Sequence, residues 1–496
     1  MGTDQAIADR GLYIDGGWRR SATGDTVTIH DPATGELVGN SALAGAADVD
    51  AAVDAATRAQ PNWARTPPEE RATILHRAAE LVVQRADEIA VILTREQGKP
   101  IPDSRKEILF GADVLHYYAE EGRRQGGSIR PSVRPDIRSL VSWAPVGVVA
   151  AIVPWNYPVD LYCWKIGPAL AAGNAVVVKP PAETPFAVGL LAQCLADAGL
   201  PAGIIADLPG DLDAGKRLSS HPHIDMITAT ASTRTGRSLM RAAADTLKKL
   251  SLELGGQCPF IVLDDADVEE AATAAARRSF SNAGQICIAV NRILVADALA
   301  DDFTAAVADT ANHIVLGHGL DPAIGYGPTT TPAVGQRAAE HITDAVGHGA
   351  RVIAGGGPAR GGDLDRGHFF RPTVLDHVPV TARIMNEETF GPVVAVHRLA
   401  PGTDVAAVAA IANATPYGLA AYVFGNDLDR AWVLAEQLHV GGVGININDV
   451  TELQAPFGGW KMSGFGRELG PEALTAFSQQ RHLRIRRRAT PATVLR

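Results

Sequence analysis

The stretch VGVVAAIVP, residues 146–154, limits the fold of this chain more than any other segment. It is an unbroken apolar run rich in β-branched residues, without polar alternation, so both faces of the strand it forms must be covered. NAVVVKP at 174–180 repeats the pattern, and GIIADLPG, HIDMITAT and LKKLSLELGG continue it at spacings that leave room for helices between strands. One such helix opens at Thr184-Pro185 and stops near Gly199 and Pro201. Strand–helix–strand repetition predicts a parallel sheet covered by helices, which binds ligands beyond the carboxyl ends of its strands. The segments placed there are PWNYP, KPPAETP, ATASTRTG and ELGG.

A second α/β region begins near residue 257 with PFIVLDD, the helical pattern DVEEAATAAARRSF and the strands NRILV and ARVIAGGG. Gly-rich loops, VGGVG and PFGGWKMSGFGRELG, follow towards the C-terminus. The first 120 residues read as mostly helical: Thr66 is placed as a cap with Pro67 at the first helical position, and Ile74, Ala78, Leu81 and Val82 share one buried stripe.

A chain of 496 residues exceeds one ordinary core and implies two or three domains. Its net charge of −10 argues against a nucleic-acid partner or an anionic membrane surface. The basic run RHLRIRRR (481–488) reads as an interface strand, with Leu483 and Ile485 alternating with Arg484 and Arg486 as in a half-buried strand. No apolar run reaches the ~18 residues that span a bilayer. MGTDQAIADR lacks the pattern of a secretory signal, and MGTDQA lacks the hydroxyl residue expected for myristoylation, so a cytoplasmic location is expected. Cys163, Cys194, Cys258 and Cys287 are scattered without a CxxC pair, which fits a reducing compartment and predicts no metal site. His221-Pro222-His223 reads as a surface turn.

Two phosphate-binding patterns fail on inspection. GDLDAGKR (210–217) carries Arg217 where a magnesium-binding hydroxyl belongs, and Asp211 and Asp213 would repel phosphate. GFGRELG (464–470) lies far from the parallel-sheet region and has three residues before its last glycine.

SNAGQIC, residues 281–287, is chemically more suggestive. Cys287 is a core hydrophobe, a metal ligand or a nucleophile; the small residues Asn282, Ala283 and Gly284 before it favour a turn with room for a substrate. Glu253 ends an otherwise apolar strand, where burial raises a carboxyl pKa and makes a usable base, or where it merely caps a helix. Asn156, bracketed by prolines in PWNYP, is either a turn residue or a stiffly held amide suited to an oxyanion.

Taken in order, PWNYP, GNAVVVKP, LELGG, NAGQIC, NEETFGPV and PFGGWKMSGFGRELG resemble the aldehyde dehydrogenase superfamily, over about residues 12–485. A Glu in LELGG with a Cys 34 positions later in GQIC is a highly specific combination. The resemblance implies an α/β fold: a parallel-sheet, Rossmann-like cofactor domain (1–126 and 146–255), a second α/β catalytic domain (256–472) and a small β oligomerisation element (127–145 and 473–496). It implies that Cys287 attacks the aldehyde, that the Asn156 amide and the Cys287 N–H hold the oxyanion, and that Glu253 activates the water that hydrolyses the thioester. Lys165 and Glu468 match positions that relay the proton from Glu253. Cofactor positions map to Trp155, Lys179, Ala182, Gly210, Ser232, Leu254, Glu388 and Phe390, and substrate positions to Tyr157, Leu161, Trp164, Ile286, Ile288, Thr451 and Phe457.

The chain departs from the family's pattern in places. Many members carry a Glu where this chain has Ala182, with Glu183 one position later. Losing a carboxylate there removes repulsion of a 2′-phosphate, so NAD(P) is expected with the balance towards NADP. Ala231 stands where a glycine is usual, and its methyl is expected to be tolerated. The arginine that some succinic semialdehyde enzymes place six residues before the nucleophile is Ser281. Succinic or other ω-semialdehydes remain the alternative to an apolar aldehyde, through an arginine placed elsewhere, while Asp160 and Asp449 are compatible with an amino-aldehyde. A coenzyme A-acylating enzyme and a non-catalytic binding protein are the rival readings; Glu253 weighs against the first, and Cys287, Glu253 and Asn156 together weigh against the second. A homodimer or homotetramer is expected.

Overall fold

The computed structural model describes residues 9–487; the extreme N-terminal segment and Arg488 of the basic run lie outside the described residues. Two large sheets divide the chain. The first is eight-stranded, and its parallel core runs in the spatial order Lys249–Glu253, Met226–Thr230, Val148–Ile152, Ala175–Lys179, Ile205–Asp207. The apolar runs of the sequence form these strands and are buried on both faces, with Val149, Ala150, Val176, Val177 and Ile227 inaccessible to solvent. The chain goes from Val148–Ile152 outward to Ile205–Asp207, then returns to place Met226–Thr230 on the other side of Val148–Ile152. This reversal of strand order opens a crevice at the carboxyl ends of those two neighbours, where Trp155-Asn156 and Ser232 follow. Gly464–Phe465 pairs antiparallel with Leu252 and Glu253 at one edge of the sheet.

The second sheet has seven strands, parallel apart from Arg351–Ala354. A third, three-stranded antiparallel sheet joins Ser128–Arg130, Ile137–Pro145 and Ser478–Arg486.

Several expectations need correction. The first 120 residues are mostly helical, as expected, but the helices begin only at Ala46, after the strands Leu12–Ile14, Gly17–Arg19, Thr26–His30 and Leu37–Ala42 that the sequence reading did not foresee. Asp15 and Gly16 both have positive φ, making the tight turn of a hairpin between two very short strands. The second helix begins at Pro68, with Pro67 rather than Thr66 as its cap, because a residue before proline is driven out of the helical region. Leu483 and Ile485 are 45% and 53% exposed, not half-buried. Their strand is covered along one edge by Ile137–Pro145, but both of its faces are open in the single chain. The GDLDAGKR segment is a helix start capped by Asp211, whose carboxylate accepts from the N–H groups of Asp213 (2.9 Å) and Ala214 (3.2 Å). A carboxylate thus fills the place a phosphate would need.

Candidate active site

The helix Val268–Phe280 ends in a tight turn, Ser281–Gly284, in which Asn282 and Ala283 adopt left-handed φ of 49° and 53°. Gly284 also has positive φ, and a Cβ there would come within 2.3 Å of the Gly391 carbonyl oxygen. Polar side chains hold this strained turn from both sides. Gln97 Nε2 donates to Asn282 Oδ1 (2.9 Å), Gln285 Nε2 donates to the Asn282 carbonyl (2.8 Å), and Thr330 N–H donates to Gln285 Oε1 (2.9 Å). The turn presents Cys287 as a partly exposed free thiol, whereas Cys163, Cys194 and Cys258 are buried. Gly256 allows the Cys287 backbone to approach, since a Cβ there would lie 2.1 Å from the Cys287 carbonyl oxygen.

The loop carrying Asn156 is tied to the same turn. Asn156 Nδ2 donates one hydrogen to the Gln285 carbonyl (2.9 Å), and the Asn156 carbonyl accepts from Asn282 Nδ2 (3.0 Å) and Lys99 Nζ (2.9 Å). Lys99 is fully buried, ion-paired with Glu107, and stacked 3.7 Å from the Tyr157 ring centroid. Glu107 in turn accepts from the Val159 N–H (2.8 Å), fixing the start of the helix that follows Tyr157. Sequence reasoning missed Gln97, Lys99, Glu107 and Gln285. Replacing Lys99 with Met leaves Glu107 buried without a counter-charge, so we expect a loss of about 3–5 kcal/mol. Urea denaturation checks this, and a loss under ~1 kcal/mol would make the pair dispensable.

Glu253 ends its strand buried, and its carboxyl oxygens make no well-formed hydrogen bond, although the Gly459 N–H comes close enough to favour the charged form. Burial, then the charge of Glu468, push its pKa well above the ordinary carboxyl range, while Lys165 opposes them. Lys165 is buried, ion-paired with Glu468, and donates to Thr230 Oγ1 (2.6 Å). Glu468 reaches this position because Phe457 and Glu468 pair backbone to backbone, N–H to carbonyl, at 2.7 and 2.8 Å. Burial also raises the Cys287 thiol well above its usual value, helped by Cys258, Glu388 and Glu253. The surroundings therefore favour the thiol over the thiolate, and the proton must pass to water or a neighbouring carboxylate before the sulfur can attack.

At the crevice, Trp155 and Phe390 meet edge to face at 5.5 Å. Glu388 accepts from the Gly256 N–H (2.9 Å), and burial raises its pKa to about 7. Lys179 ends its strand with its pKa lowered by burial, against the charges of Glu183 and Asp211. Ser232 caps the helix Thr233–Ala244 through Thr235 N–H (3.2 Å), an anion-favouring end, and Leu254 packs under that helix against Gly236. Gly210 lies at the edge of the group, facing Ala214 and Ala44, and Ala182 is half-buried beside exposed Glu183. A desolvated lysine, a buried carboxyl, an aromatic pair and a helix N-terminus around one crevice fit a dinucleotide.

On the substrate side, Trp164 stacks edge-on with Phe457 (5.3 Å) and with Phe110 (6.4 Å), the latter unforeseen. Leu161, Ile286 and Ile288 are buried, and Thr451 is half-buried with its N–H on Asp449 Oδ1 (3.0 Å). Among the described residues no cluster suits a metal ion, and no helix is long and apolar enough to cross a membrane.

Fold and site together define an oxidoreductase that acts on aldehydes. The model of the aldehyde dehydrogenase family matches residues 18–483, and the chain belongs to that family. It is 41% identical over 466 residues to glutarate-semialdehyde dehydrogenase of Pseudomonas aeruginosa, covering 94% of this chain and 95% of the relative. It is also 41% identical, with the same coverage, to succinate-semialdehyde dehydrogenase [NADP(+)] of Escherichia coli. The structure of betaine aldehyde dehydrogenase from Staphylococcus aureus in complex with NAD+ superposes with a TM-score of 0.94 at 33% identity, covering 98% of this chain and 96% of that one.

Proposed function

We propose that this protein oxidises an ω-anionic semialdehyde to the carboxylic acid with NAD(P), the balance lying towards NADP. Cys287 acts as the nucleophile, and Glu253 as the base. The observation that carries this reading is Glu253 itself: a buried carboxyl left without a well-formed hydrogen bond, whose charge reaches the Cys287 thiol where the thioester would form. The relatives named for glutarate and succinate semialdehydes support the substrate class.

In the first step the Cys287 thiol gives its proton to water, and Sγ bonds to the aldehyde carbon. The carbonyl π electrons move to oxygen, where the second Asn156 amide hydrogen and the Cys287 N–H stabilise the charge. The nicotinamide, when bound, supplies the hydride acceptor, and Cys287 is left as a thioester. Glu253 then takes a proton from water, whose oxygen attacks the thioester carbon. The C–S bond breaks, the acid leaves, and Cys287 departs as thiolate. Lys165 and Glu468 carry the proton onward. Lys179 would hold the adenosine ribose, Glu388 the nicotinamide ribose, Phe390 and Trp155 the ring, and Ser232 the pyrophosphate, with Gly210, Ala182 and Leu254 shaping the cleft. Tyr157, Leu161, Trp164, Ile286, Ile288, Thr451 and Phe457 would enclose the substrate.

The chain would divide into a cofactor-binding domain (1–126 and 146–255), a catalytic domain (256–472) and an oligomerisation element (127–145 and 473–496), with Gly464–Phe465 crossing back to the first sheet. The three-stranded sheet, with Ile129, Leu483 and Ile485 exposed, would be covered in a homodimer or homotetramer. Four free thiols support a reducing, cytoplasmic setting.

The test is NAD(P)H formation from succinate or glutarate semialdehyde without coenzyme A; a strict coenzyme A requirement, or no turnover, rejects the reading. The raised thiol pKa adds a pH prediction. A thiol titrating above its ordinary value is mostly protonated at neutral pH, and its thiolate fraction grows as pH rises. Alkylation of Cys287 by iodoacetamide should therefore quicken about tenfold per pH unit from neutrality upward, whereas a plateau below about pH 8.5 would contradict the burial argument.

A further inference from the structure

Ser281 stands where some succinic semialdehyde enzymes carry an arginine, yet a partly buried arginine stands one helical turn earlier. Arg278 lies on the last turn of the helix leading into the Cys287 turn, with its side chain only 14% exposed. Its Nε donates to the Asn448 carbonyl (2.5 Å), and Nη2 pairs with Asp449 Oδ2 at 3.1 Å. Among the described residues no partner is found for Nη1, so part of a five-donor fork remains free. The same Asp449 accepts the N–H of Thr451, one of the expected substrate positions, on its other oxygen (3.0 Å), and the charge of the guanidinium reaches Tyr157. The carboxyls nearby offer a cationic substrate little. Burial and the charge of Glu107 raise the Asp160 pKa well above the ordinary carboxyl range, and Asp449 is already engaged by Arg278.

We propose that Arg278 is the anion-binding residue of the substrate tunnel, taking the carboxylate or sulfonate at the far end of an ω-anionic aldehyde through the free edge of its guanidinium. This rests on the reading of Cys287 as the nucleophile of an aldehyde dehydrogenase. The Arg278–Asp449 pair then acts as a gate of charge: Asp449 holds the fork in place and partly neutralises it until the substrate anion arrives.

The experiment compares kcat/KM for 4-oxobutanoate and 5-oxopentanoate with kcat/KM for butanal and pentanal, at saturating cofactor. R278Q should lower the charged-to-neutral ratio at least tenfold, chiefly through KM, and R278K should restore part of it. D449N, which releases the fork from its internal partner, should raise the ratio. Equal losses on charged and neutral aldehydes, or a D449N variant that reproduces the R278Q loss, would overturn the proposal by making the pair structural. Should R278Q fail to fold, the direction of the D449N change decides. Wild-type protein that oxidises none of the four aldehydes would instead reject the functional reading itself.

Discussion

Cys287→Ser should abolish NAD(P)H production, with kcat falling on the order of 10³-fold or more, while nucleotide binding persists. The hydroxyl is close in shape to the thiol, so the turn held by Gln97, Asn282 and Gln285 has no reason to rearrange. What changes is chemistry. An alcohol is a far weaker acid than a thiol, and this site already raises the pKa of the group at 287 by burial. The one other thiol nearby cannot take over: Cys258 is buried, and its pKa is pushed up to about 12. Steady-state rates with a semialdehyde, alongside nucleotide titration by fluorescence quenching, separate the two effects. Substantial residual turnover would mean that the nucleophile lies elsewhere. Lost nucleotide binding would mean that the substitution had disturbed the crevice rather than the reaction.

The parts of the molecule that could be read from the chain are those where one local signal dictates the outcome. Strands such as Ala175–Lys179 are buried on both faces, so they must be continuously apolar, and the pattern is unmistakable. Glu253 and Cys287 stood out because each is the wrong kind of residue for its surroundings: a carboxyl ending an apolar strand, and a thiol among small turn-forming residues. The first hairpin was missed because strands as short as Leu12–Ile14 carry too few residues for periodicity. Its signal lay in the turn chemistry of Asp15-Gly16 instead.

The support beneath the site was illegible for another reason. Lys99 lies in EQGKP, between two helices, and nothing local says that its ammonium will be buried against Glu107 and the Asn156 carbonyl. Glu107 is only eight positions on, but the Asn156 carbonyl that completes the site arrives from more than fifty positions away, and only the fold supplies that. Arg278 is similar: on its helix it reads as one of two consecutive arginines, yet Arg277 is exposed and Arg278 is not. Leu483 and Ile485 show the converse, an apolar alternation that no surface among the described residues covers.

Glu253→Gln should divide the reaction in two. The first half, bond formation by Cys287 and hydride loss, would proceed once, because it needs the thiol, the Asn156 amide and the bound cofactor. The second half needs a proton taken from water, and an amide cannot take it. We therefore expect a burst of about one NAD(P)H per active site followed by near-arrest, with the steady rate reduced ~10²–10⁴-fold. Mass spectrometry of the arrested protein should find the acyl group on the peptide bearing Cys287. The substitution is well tolerated in space, and it replaces a buried carboxyl whose oxygens make no well-formed hydrogen bond, so folding should be preserved or slightly favoured. The burst also distinguishes roles within the cluster. If Glu253 were needed to deprotonate Cys287 as well as water, the burst would slow together with the steady rate. Raising the pH would then rescue the burst alone, since hydroxide can relieve the thiol of its proton, whereas the amide at 253 still cannot position and deprotonate the hydrolytic water. An unchanged steady rate would remove Glu253 from the chemistry and leave its buried carboxyl without a function.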